Sequence, residues 1–256
     1  MISDGSVFSS NKNILRGKVA VITGAGRGIG KAIARAYAGA GAAVVCAARS
    51  EAEIKQTEKE IRESGGSAIA VKTDVTSNEE VIYMFKAAVE NFGGIDMLVI
   101  NAGANYDRET VENSNMENWI KTMELNLFGA YYCAHSVIPY MKQRGAGKII
   151  TIGSGLGHKG FPGGSAYSCS KAGLWMLTRI LAQELIEYNI SVNELIPGPV
   201  ETSIDDGAEE GKKTIKTMDS EWHKQPEDVV PMALFLAGQP DMGPTAQSFS
   251  LMRRDR

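Results

Sequence analysis

Residues 19–30 read VAVITGAGRGIG, and this stretch indicates the fold more directly than any other part of the 256-residue chain. Its first five residues are a largely apolar run, typical of a strand buried on both faces of a parallel sheet. The glycines after it permit a sharp turn, and the pattern of residues 29–41 predicts a helix. A strand, a glycine-rich turn and a helix in this order begin an alternating α/β chain.

The alternation continues along the chain. Strands are also predicted at residues 43–48, 67–72, 96–100, 148–152, 191–196 and, as a final edge strand, 247–251. Helices are predicted at residues 51–63, 78–92, 116–144 and 166–188. We therefore expect an α/β fold, a doubly wound parallel sheet (Rossmann fold) of about seven strands with helices on both faces. No linker or repeat divides the sequence, so residues 1–256 are predicted to form one domain, with residues 1–13 flexible.

The glycine turn has the features of a phosphate-binding loop. Gly24, Gly28 and Gly30 would let the backbone approach a pyrophosphate, with Ile29 in the first helical turn, where free N–H groups favour an anion. The spacing T-G-x-x-x-G-x-G differs from the usual G-x-G-x-x-G fingerprint. A tight turn without a ligand is the alternative, but the position after the first strand favours a nucleotide.

Charge near the second strand bears on which nucleotide binds. An NAD site usually has a carboxylate after this strand, whereas an arginine suits a 2′-phosphate. Here Ala48 ends the strand and Arg49 follows, with Arg27 in the glycine turn, so NADP(H) is favoured. Glu51 and Glu53 leave open that Arg49 is a solvated residue at a helix start, and NAD(H) stays possible.

A second group of residues points to proton transfer. Tyr167 and Lys171 are separated by about one helical turn and therefore share a helix face. An ammonium so close favours the phenolate and lowers the phenol pKa toward the working range. The Ser154 hydroxyl could hold a carbonyl oxygen beside them. A Tyr-x-x-x-Lys pair alone is a weak signal, because many surface helices contain one.

The order of motifs resembles the short-chain dehydrogenase/reductase family, including its 3-oxoacyl-carrier-protein reductases, over residues 15–251. The matching pieces are Thr23-Gly24…Gly28-x-Gly30, Asp74-Val75, Asn101-Ala102-Gly103, Asn126, Ser154, Tyr167…Lys171 and Pro197-Gly198-Pro199-Val200-Glu201-Thr202. Two departures are Ile100, where the family often has an Asn, and the basic C-terminal tail in place of Asp-Gly-Gly.

The resemblance implies a role for each matching residue. Tyr167 would be the acid/base, Ser154 would stabilise the developing charge on the carbonyl oxygen, and Lys171 would lower the Tyr167 pKa and bind the nicotinamide ribose. Asn126, or else a simple packing group of its helix, would hold a water that links Lys171 to solvent. The remaining cofactor contacts implied are Asp74 and Val75 at the adenine, Asn101, Ala102 and Gly103 over the adenine ribose, and Pro197, Gly198, Val200 and Thr202 beside the nicotinamide.

Three loops at the carboxyl ends of the strands are expected to select the substrate. They span residues 105–113, 155–164 and 203–225, and the last is predicted to be a lid. Its charged composition favours a polar substrate, such as a sugar, a keto acid or a carrier-linked acyl group, over a steroid. His158 either contacts substrate or is a surface histidine.

Composition limits the other possibilities. A formal net charge of −3 gives no electrostatic case for nucleic acid or an anionic membrane surface. The three cysteines have no metal-ligand spacing, so we expect reduced thiols, no metal site and a buried Cys169. No signal peptide or membrane-spanning run is evident, which predicts a cytoplasmic protein. The resemblance implies a homo-oligomer, with a tetramer as the usual form.

Three functions follow as hypotheses. The first is an NADP(H)-dependent carbonyl reductase or alcohol dehydrogenase, and the second an NAD(H)-dependent sugar or polyol dehydrogenase. The third, of a different class, is a nucleotide-binding regulator without turnover, which would be expected to lack part of the catalytic set.

Overall fold

The structure is a parallel β-sheet covered by helices on both faces. It is a computed structural model that describes residues 13–202 and 221–253, so most of the predicted flexible N-terminus and residues 203–220 of the predicted lid lie outside the described residues. The strands are β1 (Val19–Thr23), β2 (Ala43–Ala48), β3 (Ser67–Lys72), β4 (Met97–Ile100), β5 (Gly147–Ile152), β6 (Ile190–Ile196) and β7 (Ser248–Ser250).

These strands form one sheet in the order β3-β2-β1-β4-β5-β6-β7, and every neighbouring pair is parallel. All residues of β1, β4, β5 and β6 are buried, as expected for inner strands of a parallel sheet with helices on both faces. The doubly wound parallel sheet is therefore confirmed. The predicted strand ends shift by one residue in several places: β4 begins at Met97 rather than residue 96, and β7 is three residues long.

The helices pack on the two faces of the sheet in separate cores. They are α1 (Gly28–Gly39), α2 (Glu51–Glu63), α3 (Asn78–Phe92), α4 (Met116–Met123), α5 (Gly129–Arg144), α6 (Ser165–Leu185) and α7 (Val230–Ala237). Buried residues of α1, α2 and α7 pack on one face, and those of α3, α5 and α6 on the other. Within the described ranges, no helix is both long and apolar enough to cross a membrane.

The prediction of one helix over residues 116–144 is wrong in detail. The backbone is α-helical in α4, becomes a π-helix at Glu124–Phe128, and returns to α-helix in α5. The spacing of apolar residues indicates that this segment is helical, but it does not distinguish an α turn from a single π turn, because one extra residue barely changes the pattern. Gly145, in the left-handed conformation with φ of 77°, ends α5 as a glycine commonly does.

The segment Pro226–Val229 and α7 that follows it were not predicted. Their apolar residues show no clear helical face, since Val230, Met232 and Leu234 alternate with the buried Ala233 and Leu236. Tertiary contact with α1 supplies what the local pattern lacks: the Tyr37 hydroxyl donates to the Ala233 carbonyl at 2.8 Å.

The strand order creates a crevice beside β1. From β1 the chain proceeds through α1 to β2 on one side, while β4 lies on the other side of β1 and is reached through α3. Helices therefore diverge to opposite faces at the carboxyl ends of β1 and β4, which is where open α/β sheets bind ligands.

Candidate active site

A cavity of about 580 Å³ opens at this crevice among the described residues. Most of the residues predicted to bind the cofactor or to take part in the reaction line it: Gly24, Arg27, Gly28, Ile29, Arg49, Asp74, Val75, Asn101, Ala102, Gly103, Ser154, Tyr167, Lys171, Pro197, Gly198, Val200 and Thr202. Gly30 and Asn126 are buried and are not part of the lining. The structure thus brings residues from seven separate segments of the chain to one site.

The glycine turn has a backbone that larger residues would disturb. Gly24 and Gly28 have positive φ angles of 67° and 55°, the left-handed region that glycine adopts most readily. A Cβ on Gly30 would collide with the Gly24 carbonyl and the Asn101 amide. The turn consequently presents bare backbone to the cavity at the first turn of α1, a cradle suited to a pyrophosphate.

Asn101 and Thr23 hold the glycine turn against the end of β4. The Asn101 Nδ2 donates to the carbonyls of Thr23 and Gly24 at 2.9 and 3.3 Å. The Thr23 hydroxyl oxygen accepts from the backbone N–H groups of Asn101 and Ala102 at 3.0 and 3.1 Å. These bonds fix the distance between the two strands that border the crevice.

Two exposed guanidinium groups lie at the rim near the end of β2. Arg49 donates to the Tyr106 hydroxyl at 3.3 Å, and Arg27 precedes α1 as its N-cap residue. Glu53 also lines the cavity at this rim and adds a carboxylate to it. Its Oε2 lies 3.0 Å from where a Cβ on Gly26 would stand. The rim therefore has mixed charge.

At the predicted adenine position, Asp74 already has partners. Its Oδ1 accepts from the backbone N–H and the hydroxyl of Thr76, at 3.0 and 2.8 Å. Val75 is buried and packs against Gly129, where a Cβ would come within 2.7 Å of the valine. Asp74 thus stiffens the loop after β3 and leaves its second oxygen for a ligand.

Tyr167 and Lys171 share the first two turns of α6, as their spacing predicts. The Lys171 ammonium donates to the Ile152 carbonyl at the end of β5 (2.8 Å) and lies 5.7 Å from the Tyr167 ring centroid. Lys171 is 4% exposed, and this desolvation lowers its pKa from 10.5 to about 8. Ser154 lies just after the end of β5, and its Oγ accepts a hydrogen bond from the Leu156 N–H at 3.2 Å.

Asn126 lies in the π-helix, behind the cavity wall. Its Oδ1 accepts from the Ala104 N–H at 2.9 Å, while its Nδ2 donates to the Ala104 carbonyl (2.9 Å) and the Ser170 hydroxyl (3.0 Å). A Cβ at Gly103 would lie 3.0 Å from this Oδ1 and 3.6 Å from Lys171 Nζ. Asn126 thus anchors the loop after β4 to α6, close to Lys171.

The segment after β6 closes the opposite side of the cavity. Gly198 has a φ of 73°, and Val200 forms an isolated parallel bridge with Lys224. Met252, after β7, also lines the cavity and would contact side chains at Gly155 and Gly198 if these positions carried a Cβ. Sequence reasoning missed Met252, because nothing in the local pattern shows that the C-terminal segment returns to the site.

The substrate loops are only partly as expected. Asn105, Tyr106 and Arg108 line the cavity, as does Leu156. His158 does not: it points away, with Nε2 2.9 Å from Glu194 and its ring 5.0 Å from that of Trp175. The interpretation of His158 as a substrate contact therefore finds no support in its position.

The grouping and burial of the cysteines and of the other possible metal-ligating side chains bear on metal binding. Among the described residues, no group of three or more His, Cys, Asp or Glu side chains could hold a metal ion. Cys46 and Cys133 are buried free thiols, and burial raises the pKa of each to about 12. The prediction that Cys169 is buried is wrong, because position 169 lies off the buried face of α6, which includes Ala166, Ser170 and Leu174, and the thiol is exposed.

The chain is similar to known proteins along most of its length. The short chain dehydrogenase family model matches residues 18–213. A 3-oxoacyl-[acyl-carrier-protein] reductase of Synechocystis is 36% identical over 88% of this chain and 91% of its own length, and the 3beta-hydroxysteroid dehydrogenase 1 of Eggerthella lenta is 34% identical over 87% of each. A solved structure of a putative short-chain dehydrogenase/reductase from Burkholderia xenovorans has a TM-score of 0.87 at 30% identity, covering 95% of this chain and all of that one.

The chain belongs to the short-chain dehydrogenase/reductase family, which the resemblance had predicted. It is accordingly an oxidoreductase of a family that acts on carbonyl and alcohol groups with a nicotinamide cofactor.

Proposed function

We propose that this protein is an NADP(H)-dependent oxidoreductase that interconverts a ketone and a secondary alcohol, with Ser154, Tyr167, Lys171 and Asn126 as its reaction site. The observation that carries the proposal is the shared cavity: the glycine cradle for a pyrophosphate and the Ser154–Tyr167–Lys171 group line the same space. A complete catalytic set beside a nucleotide cradle argues for turnover and against a nucleotide-binding regulator.

The residues present suit a dinucleotide. The glycine turn, Asp74, Val75, Asn101, Ala102 and Gly103 would hold its adenosine half, and Pro197, Gly198, Val200, Thr202 and Lys171 the nicotinamide half. When bound, the reduced cofactor supplies a hydride to the carbonyl carbon.

The protein's own part is to bind the carbonyl oxygen and to move one proton. The Ser154 hydroxyl donates a hydrogen bond to that oxygen and stabilises the negative charge that develops on it. Tyr167 gives the oxygen its phenolic proton, so that an alcohol and a phenolate result. The nearby Lys171 ammonium stabilises the phenolate, and a water held near Asn126 returns a proton to the pair from solvent.

Arg27 and Arg49 are the basis for preferring NADP(H). Both are exposed at the rim by the end of β2, where a 2′-phosphate would be contacted, and a guanidinium binds phosphate in a bidentate manner. The Glu53 carboxylate at the same rim favours the alternative, an NAD(H)-dependent sugar or polyol dehydrogenase, since it could accept from a free 2′-hydroxyl.

A polar carbonyl substrate is proposed, with a 3-oxoacyl group on a carrier as the leading candidate. Asn105, Tyr106 and Arg108 provide a polar wall, and Leu156 and Met252 an apolar one. Relatives named as 3-oxoacyl-carrier reductases support this choice, while the hydroxysteroid dehydrogenase relative makes a cyclic ketone the second substrate to examine.

We further propose that the chain forms one domain, that it assembles into a homo-oligomer in the cytoplasm, and that it has no nucleic acid or membrane partner.

The test is a set of initial rates of NADPH and NADH oxidation with acyl thioesters, keto acids, sugars and cyclic ketones. We expect turnover with NADPH, highest with acyl thioesters. Faster oxidation of NADH with sugars would support the alternative enzyme instead. Cofactor binding without turnover of any of these compounds would argue for the regulator.

A further inference from the structure

A buried carboxylate lies beside the proposed reaction site and takes no part in the function described above. Glu194 is fully buried in β6, flanked in sequence by Asn193 and Leu195. Side chains alternate along a strand, so Glu194 shares the face of Val192, which packs in the core beneath α6. A charge in such a place costs free energy unless it is paired and hydrogen-bonded.

The Glu194 carboxylate contacts two side chains, Ser248 and His158, and one close backbone neighbour, Gly153. The Ser248 hydroxyl, from β7, donates to Oε2 at 2.6 Å, and His158 Nε2 lies 2.9 Å from the same oxygen. A Cβ on Gly153 would overlap the carboxylate, so the glycine makes room for it at the end of β5. The carboxylate therefore sits against the residue that directly precedes Ser154.

The carboxylate and the Lys171 ammonium meet the same short stretch of β5. Lys171 Nζ donates to the carbonyl of Ile152, and the Glu194 carboxylate lies against the next residue, Gly153. Burial lowers the pKa of Lys171, and the negative charge of Glu194 acts in the opposite direction and raises it. Glu194 is the charge that offsets part of the desolvation of the lysine.

The other titratable groups around Lys171 are few within the described residues. Tyr167 lies on the same helix, one turn away, and His158 faces Glu194 from the loop after β5. Asn126, from the π-helix, is near Lys171 but carries no charge. Glu194 therefore supplies a negative charge that acts on the Lys171 ammonium.

We propose that Glu194 is a positioning residue of the reaction site, whose carboxylate, held by Ser248 and His158 against Gly153, maintains Lys171 as an ammonium ion. This inference rests on the proposed function, in which that ammonium stabilises the Tyr167 phenolate. It assigns to the His158–Glu194 pair a role other than contact with substrate.

The direct test follows the lysine ¹³Cε resonance of Lys171 against pH in the cofactor-free protein, with the resonance assigned by its loss in Lys171→Met. Glu194→Gln keeps the shape and the hydrogen-bonding capacity of the side chain but removes its charge. We expect the titration midpoint of Lys171 to fall by about one pH unit in this variant. The alkaline limb of the rate of alcohol oxidation should move to lower pH by a similar amount.

Two matched variants separate charge from packing. Ser248→Ala removes a hydrogen bond but not the charge, and should leave the Lys171 midpoint unchanged. Glu194→Asp keeps the charge, so its Lys171 midpoint should lie close to that of the wild type. Should Glu194→Gln not fold, Glu194→Ala provides the same comparison, since it also removes the charge.

An unchanged Lys171 midpoint in the charge-free variants would overturn the proposal, as would an equal shift in Ser248→Ala. The titration does not depend on turnover. If Tyr167→Phe keeps full activity, the proposed function fails, while the effect of Glu194 on Lys171 is still measured independently.

Discussion

At Lys171 the proposed chemistry opposes stability. It is 4% exposed, and its pKa falls to about 8 because burial disfavours the ammonium form. In an unfolded chain a lysine titrates near its ordinary value of about 10.4. Between these two values the unfolded state binds a proton that the folded state does not, so the contribution of Lys171 to stability rises with pH. Below about pH 8 the full cost of the buried charge is present.

This cost predicts how Lys171→Met changes stability. Relative to the wild type, the variant should be more stable near pH 7.5, and this advantage should shrink by about 2 kcal/mol as the pH is raised to about 9.5. Urea denaturation at several pH values measures the difference. Lys59→Met, at an exposed position on α2, is the control and should show no such dependence. Parallel stability curves for wild type and Lys171→Met would contradict the shifted pKa.

Arg27 and Arg49 are the residues proposed to make the site prefer NADP(H) over NAD(H). Replacing both with glutamine should weaken NADPH binding by about 10- to 100-fold, since each loses a charge-assisted contact with the 2′-phosphate. NADH, which lacks that phosphate, should be affected by no more than about 2-fold. Fluorescence titration of both cofactors measures this, with Arg35→Gln as a control on an exposed part of α1 outside the cavity. Equal losses for the two cofactors would remove the argument for NADP(H).

Among the elements, the turn from β1 into α1 has little room for a residue larger than glycine. Gly30 packs directly on the Gly24 carbonyl and the Asn101 amide, whereas a Cβ on Gly39, in the last position of α1, would meet nothing in the described part of the chain within 4 Å apart from its own helix. Gly30 and Gly39 therefore have different roles, although both lie in α1.

Gly30→Ala should displace the turn and weaken NADPH binding by at least about 10-fold, with a loss of roughly 1–3 kcal/mol in the free energy of unfolding. Gly39→Ala should bind NADPH normally and gain up to about 1 kcal/mol, because alanine is the better helix former. Thermal unfolding and cofactor titration of both variants test the difference. Normal binding by Gly30→Ala would show that the turn does not cradle the cofactor.

Element by element, the sequence predicts what depends on local pattern. The bounds of α2 and α3 agree with the prediction, because both have clear apolar periodicity, and Ser77 caps α3. The π-helix and α7 were not predicted. The first is a change in backbone hydrogen bonding that leaves the apolar pattern intact, and the second is stabilised by tertiary contact with α1.

For the whole molecule, an uncovered apolar stripe bears on assembly. Four apolar side chains are each about half exposed: Phe128 at the end of the π-helix, Tyr131 on α5, and Met176 and Ile180 on α6. Their spacings of three and four residues place each pair on one helix face. Apolar side chains concentrated on such a face indicate an interaction surface.

We expect the protein to be a tetramer in solution, with this stripe at a subunit contact. Light scattering after size-exclusion chromatography measures the mass. Phe128→Glu combined with Ile180→Glu should reduce the assembly to a smaller species, while Tyr83→Glu, at an exposed position on α3, should not. A monomeric wild type would contradict the expectation.

Some residues of the proposed site are recognisable from local sequence, and others reach the site only through the fold of the whole chain. Tyr167, Lys171 and the glycine turn were predictable because each is a local pattern with its own spacing. Met252, Glu53 and the Glu194–His158 pair were not, since they reach the site through the order of the strands and the return of the C-terminal segment. No spacing in the sequence reports such long-range contacts.

The most direct test of the proposed proton transfer compares Tyr167→Phe with the wild type in NADPH-dependent carbonyl reduction and in NADPH binding. Phenylalanine keeps the ring and removes the one hydroxyl that is proposed to give a proton to the carbonyl oxygen. We predict that turnover falls by about 10³-fold or more, while the affinity for NADPH changes little. Turnover retained by Tyr167→Phe would contradict the central claim that this tyrosine transfers the proton.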